Sequence, residues 1–275
     1  MKQDVRIRRL LDLGRAALAA PPGKGRIVLA LTSGLLCHSI FAAAILSMIY
    51  SMFYGLSSGA GQLSYPWALL ANLLLILQFP LLHSLLLTRR GLKCLAGAVP
   101  GRHGSTLSTT TYAIVASLQL LALFWLWTPS GIVWWRAEGP IFLASCCAYA
   151  LSWALLAKAI FDAGAELQSG ALGWLSLLAA KAPKFPDLPT LGLFRFIRQP
   201  IYLAFALTLW TVPVWTPDQL VLALIWTLYC VAAPRLKEAR LARTHGQRFE
   251  DYRRRVPYMV PNFERQKSRH AKAAQ

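Results

Sequence analysis

The chain has 275 residues, 56% of them hydrophobic, and a formal net charge of +18. Soluble domains carry about 45–50% apolar residues. The excess here is gathered into long uncharged runs, which excludes an ordinary soluble globule and predicts an all-α polytopic membrane protein of about six transmembrane helices.

In chain order, residues 1–26 are basic and amphipathic, with no short apolar core leading to a small-residue cleavage site. They are expected to lie along the membrane surface. No Lys, Arg, Asp or Glu occurs from Ile27 to Thr88, a run of 62 residues. That is too long for one crossing of a ~30 Å core at ~1.5 Å per residue. The Gly- and Ser-rich stretch Gly55–Ser64 divides it, predicting helices near 27–54 and 66–88. Further uncharged runs, His103–Trp135, Gly139–Ala157 and Gln199–Pro217, predict helices near 111–128, 140–161 and 199–213, with a last one near 218–234. The final two are short and share "VPVWTPD" as their connection, the pattern of a tilted hairpin. Trp125, Trp127, Trp134 and Trp135 are expected in an aromatic belt at one interface.

Between the fourth span and the hairpin, residues 162–198 are more polar, and prolines at 183, 186 and 189 exclude a continuous helix. After the last span, "RLKEARLART" has helical composition, and Gly246 suits a helix end. "QRFEDYRRRV" places Phe249, Tyr252 and Val256 on one face of a second short helix. The expected organisation is therefore an amphipathic segment at 1–26, four spans within 27–161, and a unit of loop, hairpin and C-terminal helices at 162–262. A basic tail without fixed structure is expected at 263–275.

The charge follows the loops. Lys and Arg number 7 in residues 1–26, 4 in 89–102, 5 in 158–198 and 12 in 235–275, leaving only Arg136 on the other side. Six spans with both termini in the cytoplasm satisfy the positive-inside rule, and membrane lipids are the expected partner of this charge rather than nucleic acid. The five cysteines show no CxxC or Cys/His ligand spacing, so neither a metal site nor a disulfide framework is expected.

Polar residues concentrate at the two ends of the hairpin. Arg195, Arg198, Gln199 and Tyr202 stand at its start, and Lys237, Glu238 and Arg240 just beyond its end. In an antiparallel hairpin these ends are neighbours, so Arg198 and Glu238 are expected to meet. A guanidinium can hold a carboxylate in bidentate fashion, and a carboxylate can hold an ammonium or ribose hydroxyls. Arg195 is read as an interfacial anchor, and His245 as a helix-end residue.

The series Arg198, Pro200, Tyr202, then Glu238 and Leu241, then His245, Gly246, Phe249, Tyr252, Val256 and Pro257 resembles the isoprenylcysteine carboxyl methyltransferase-like superfamily of membrane methyltransferases. Upstream, Leu82–Ser84, Ser108–Pro129, Phe161–Gln168 and Trp210–Leu220 resemble its bacterial methanethiol S-methyltransferase branch. The resemblance implies a bacterial inner-membrane enzyme that transfers a methyl group from S-adenosylmethionine to a thiol or other small or lipophilic acceptor, without a metal. It implies Arg198 and Glu238 as catalytic residues and Arg198, Gln199, Pro200, Tyr202, Glu238 and Tyr252 as the cofactor site. His83 is implied on the acceptor side. The chain departs from the superfamily pattern at Gln199, where His is usual, at Ala204, where Gly is usual, and at Lys237, where Glu is usual. Lys237 beside a sulfonium is unfavourable unless its ammonium turns to lipid headgroups. Two other readings stay open at this point: an NADPH-dependent membrane reductase of the sterol or enone type, and a non-catalytic membrane protein that keeps the fold.

Overall fold

The computed structural model describes residues 4–99 and 101–261; the basic tail expected at 263–275 lies outside them. The described chain is helical: α1 (Val5–Leu18), α2 (Lys24–Phe53), α3 (Trp67–Leu86), α4 (Arg89–Gly97), α5 (Gly104–Leu126), α6 (Gly139–Gln168), α7 (Ala171–Leu178), α8 (Pro200–Trp210), α9 (Pro217–His245) and α10 (Gln247–Arg255). Two short strands, β1 (Trp135–Arg136) and β2 (Val214–Trp215), pair antiparallel. They tie the connection before α6 to the one between α8 and α9, and so mark one end of the bundle. The basic segments gather at the other end.

Five helices, α2, α3, α5, α6 and α9, are long and apolar enough to cross a membrane, and α8 is a shorter apolar helix of 11 residues. At ~1.5 Å per residue α8 covers about 17 Å, roughly half of a ~30 Å core. The fifth expected span is thus a half-length arm. Packing decides this, because α8 runs against α6 on one side and α9 on the other. The main core lies between these helices. Trp226 is fully buried, donates its indole N–H to the Ile76 carbonyl at 3.2 Å, and packs against Phe79, Phe124 and Phe205.

Three expectations about elements change. The segment 89–102, read as a loop, contains α4; Thr88 caps it by accepting from the Gly91 N–H at 3.2 Å. The expected stop at residue 234 is absent, and α9 runs through Pro234 to His245. Proline removes a single amide donor there, and the helix formers on either side carry the helix past it. Trp127 is not a belt residue. It is 2% exposed and donates its indole N–H to buried Asp218 at 3.2 Å, whereas Trp125, Trp134 and Trp135 are exposed.

Helix α1 is clamped to the bundle by charge. Arg6 pairs with Asp162, and Arg9 with Glu166 at 2.5 Å. Both acids lie on α6 and are buried. Lys158 pairs with Asp162 as well, at 2.5 Å. Asp162 also accepts the Leu193 N–H at 2.8 Å, which fixes the 3₁₀ turn Gly192–Arg195 leading into α8. Gly192 has φ +62, and a Cβ there would run into the Asp162 carboxylate and the Arg6 guanidinium. Strain and crowding together predict that Gly192→Ala destabilises the protein by about 2–4 kcal/mol, read as a lower thermal midpoint in detergent.

Candidate active site

Pro200 opens α8 in the first helical turn, where its missing N–H has no intrahelical partner to lose. The two residues before it, Arg198 and Gln199, are held by a crossing of the C-terminal segment. The Arg198 N–H donates to Pro257 and Tyr258 carbonyls at 2.9 and 3.2 Å, and the Gln199 N–H to the Tyr258 carbonyl at 3.1 Å. These side chains then meet α9. Arg198 Nε donates to Glu238 Oε1 at 2.8 Å and Nη2 to Oε2 at 3.3 Å. Gln199 Nε2 donates to the same Oε1 at 2.7 Å. Arg198 Nη1 reaches past Glu238 to the carbonyls of Arg253 and Val256 at 2.9 and 2.7 Å, capping the end of α10. Arg198 and Glu238 side chains are each only 12% exposed. One guanidinium thus joins the start of α8, the extension of α9 and the end of α10.

Gln199 is 1% exposed and has a second contact, accepting from Lys237 Nζ at 3.5 Å. An amide can donate to a carboxylate and accept from an ammonium at once, so Gln199 bridges the two neighbours on α9. Ala204, where the superfamily pattern has Gly, is fully buried. Lys237 does not turn to headgroups. Its ammonium lies 5.6 Å from the Phe194 ring centroid and 5.7 Å from that of Tyr202, a cation–π setting.

Tyr202 leads from this latch to a cluster of polar aromatic side chains. Its ring meets Tyr229 edge-on at 6.5 Å. Tyr229 hydrogen-bonds Ser84 on α3. His83, the neighbour of Ser84, lies 5.1 Å from Tyr112 and 4.9 Å from Phe79 between ring centroids. The Arg240 charge reaches His83, Tyr112, Tyr202 and Tyr229 alike. His83 on α3, Tyr112 on α5, Tyr202 on α8 and Tyr229 on α9 therefore share the field of one guanidinium. Among the described residues Arg240 forms no ion pair, and His83 Nδ1 is buried without a hydrogen-bond partner. Ionisable groups at such depth are costly unless they act on something.

Tyr252 stands apart from this cluster. Its phenol donates to the Phe194 carbonyl at 2.7 Å, and burial pushes its pKa up, so it remains a donor. It packs with Leu188 and Phe249, with Val256 alongside, the face expected for this helix. At the rim, Arg248 grips Asp187 at 2.7 Å and holds that carboxyl below the usual range.

The structure thus brings Arg198, Gln199, Pro200, Tyr202 and Glu238 together, sets His83 against Tyr112 and Phe79 in the adjoining cluster, and gives Tyr252 a bracing position. Sequence reasoning gave no role to Tyr112, Tyr229 or Arg240. Helical spacing could have found two of them, because Tyr229, Ala233, Lys237 and Arg240 recur at i, i+4, i+8 and i+11 on one face of α9. Among the described residues no group of three or more His, Cys, Asp or Glu side chains could hold a metal.

Fold and site together define a polytopic helical membrane protein with an Arg198–Glu238 latch and a polar aromatic cluster at the basic end of a hairpin. Comparison with known proteins gives the family. No family model matches the chain, and no solved structure does. Among curated proteins, methanethiol S-methyltransferase 1 of Bradyrhizobium diazoefficiens is 30% identical over 195 residues, covering 70% of this chain and 67% of the relative. Methanethiol S-methyltransferase of Pseudomonas deceptionensis is 28% identical over 211 residues, covering 76% of this chain and 79% of the relative. Nurim of Xenopus laevis is 35% identical over 133 residues, covering 44% and 45%. The chain belongs to the methanethiol S-methyltransferase family of isoprenylcysteine carboxyl methyltransferase-like membrane proteins.

Proposed function

We propose that this protein transfers a methyl group from S-adenosylmethionine to a small thiol at the polar aromatic cluster beside the Arg198–Glu238 latch. The observation that carries the proposal is the cluster of His83, Tyr112, Tyr202 and Tyr229 beside the cations Lys237 and Arg240, with His83 Nδ1 buried and unpartnered. Its donor set fits the cofactor. Lys237 and Arg240 would hold the carboxylate of its amino-acid end. Glu238 Oε2 carries only the 3.3 Å bond from Arg198 and keeps acceptor capacity for an ammonium or a ribose hydroxyl. The ring of Tyr229 is suited to a sulfonium, which aromatic faces attract, whereas that of Tyr202 already faces the Lys237 ammonium at 5.7 Å. S-adenosylmethionine would supply an activated methyl group whose transfer leaves a neutral thioether.

The chain's own residues do the remainder. The latch sets the start of α8 and therefore the placement of Tyr202, and such positioning supplies much of the rate of a two-reactant step. A thiol must lose its proton to become a good nucleophile. His83 Nδ1 is the acceptor placed for that proton, and the Arg240 charge favours the thiolate it leaves. Apolar walls from α3 and α5 admit a small lipophilic acceptor from the membrane side. The protein is read as resident in a bacterial inner membrane with both termini cytoplasmic, which the charge distribution supports. The family named above supports the thiol and the cofactor.

His83→Ala is expected to lower the methyl-transfer rate at neutral pH more than tenfold while S-adenosylhomocysteine binding stays within about twofold, a split that separates an acceptor-side role from a structural one. The test of the whole reading is ligand choice by detergent-purified protein. S-adenosylhomocysteine should bind, and NADPH should not. Binding of NADPH with no binding of S-adenosylhomocysteine would overturn the proposal.

A further inference from the structure

A cavity lies away from the latch, between α1, the end of α6, α7 and the loop that follows α7. It has a volume of about 370 Å³, within the range of small-molecule pockets. Its charged wall is formed by Arg8, Arg9, Lys181 and Lys184, with Asp12 and Glu166 as the acids. Glu166 is already paired with Arg9. Among the described residues Arg8, Lys181 and Lys184 form no ion pair, so three cations face one uncommitted carboxylate. Apart from Ser176 the rest of the wall is apolar, with Val5 and Leu13 from α1 and Leu172 from α7.

Nothing in the proposed methyl transfer uses these residues. A cavity with an excess of cations and apolar walls selects an anion attached to something greasy. Its position adds to this. On the face turned away from the cavity, helix α1 exposes Ile7, Leu11 and Leu18, as a helix lying in a membrane interface does. A cavity beneath such a helix lies at the level of lipid headgroups. Basic pockets beside spans attract anionic headgroups. Free phosphate would satisfy the cations and leave the apolar wall unfilled. We infer that this cavity binds the phosphate headgroup of an anionic phospholipid, with the start of its chains against Leu13 and Leu172.

The test uses the full chain in detergent, with phosphatidylglycerol, phosphatidylcholine and inorganic phosphate as probes and bound lipid read by native mass spectrometry. Phosphatidylglycerol should be retained at least tenfold over phosphatidylcholine. The triple variant Arg8→Gln, Lys181→Gln, Lys184→Gln should bring that ratio close to one, and each single variant should lower it by about threefold. The variant Arg253→Gln, Arg254→Gln removes charge elsewhere on the same basic end and should leave the ratio unchanged. Equal retention of the two lipids by the native protein would overturn the inference. So would an unchanged ratio in the triple and single variants, an equal loss in the Arg253, Arg254 variant, or displacement of phosphatidylglycerol by millimolar inorganic phosphate.

Discussion

Replacing Glu238 with alanine is expected to weaken S-adenosylhomocysteine binding about a hundredfold or more and to abolish methyl transfer. The carboxylate accepts three hydrogen bonds, two from Arg198 and one from Gln199. Its removal leaves a guanidinium that is 12% exposed without a carboxylate partner, held only by the Arg253 and Val256 carbonyls. Removing one partner of a buried charge pair costs about 3–5 kcal/mol, against the ~2.7 kcal/mol that a hundredfold loss requires. Glu238→Gln keeps the shape and one acceptor oxygen but not the charge, and should fall between alanine and the native protein. Isothermal titration with S-adenosylhomocysteine measures the series. Native-like affinity in the alanine variant would remove Glu238 from the cofactor site.

The second large effect is expected at Arg198, and it should appear as a loss of structure at the C-terminal end as well as of activity. Arg198→Lys keeps a positive charge and loses the fork. The guanidinium reaches both Glu238 oxygens and the carbonyls of Arg253 and Val256 at once, which a single ammonium cannot do. With charge-assisted bonds at ~1.5–3 kcal/mol each, loss of two should destabilise the docking of α10 by about 3 kcal/mol or more. Limited proteolysis should then cut near Gly246 at least tenfold faster than in the native protein. A lysine variant with native protease resistance would show that the Tyr252 and Phe249 packing alone holds α10 in place.

These effects rest on an arrangement that was partly legible in the sequence. The uncharged runs placed α2, α3, α5 and α6, because lipid rewards long apolar stretches whatever they pack against. The meeting of Arg198 and Glu238 was legible too, because an antiparallel hairpin brings its two ends together. Lys237 was not. Its direction depends on α9 running on unbroken through Pro234, past the residue where the last span was expected to end. Trp127 misled for a related reason: its partner Asp218 lies 91 positions away, and an indole that finds a carboxylate leaves the interface. The pairing of Arg6 with Asp162 spans 156 positions. No local pattern announces it, and with it goes the placement of α1, the 3₁₀ turn and the basic cavity. Gln199 is the instructive case. As a departure from a family pattern it looked like a loss, and in the structure it joins Glu238 to Lys237.

The central claim is that the cluster beside the latch carries methyl transfer to a thiol. The most direct measurement supplies purified protein in lipid nanodiscs with S-adenosylmethionine labelled on its methyl group and methanethiol as acceptor, and follows label into the volatile thioether. The account predicts label transfer by the native protein, more than tenfold less by His83→Ala, and none above background by Glu238→Ala. Folded native protein that binds S-adenosylhomocysteine yet moves no label to methanethiol or to any of a panel of small thiols would contradict it.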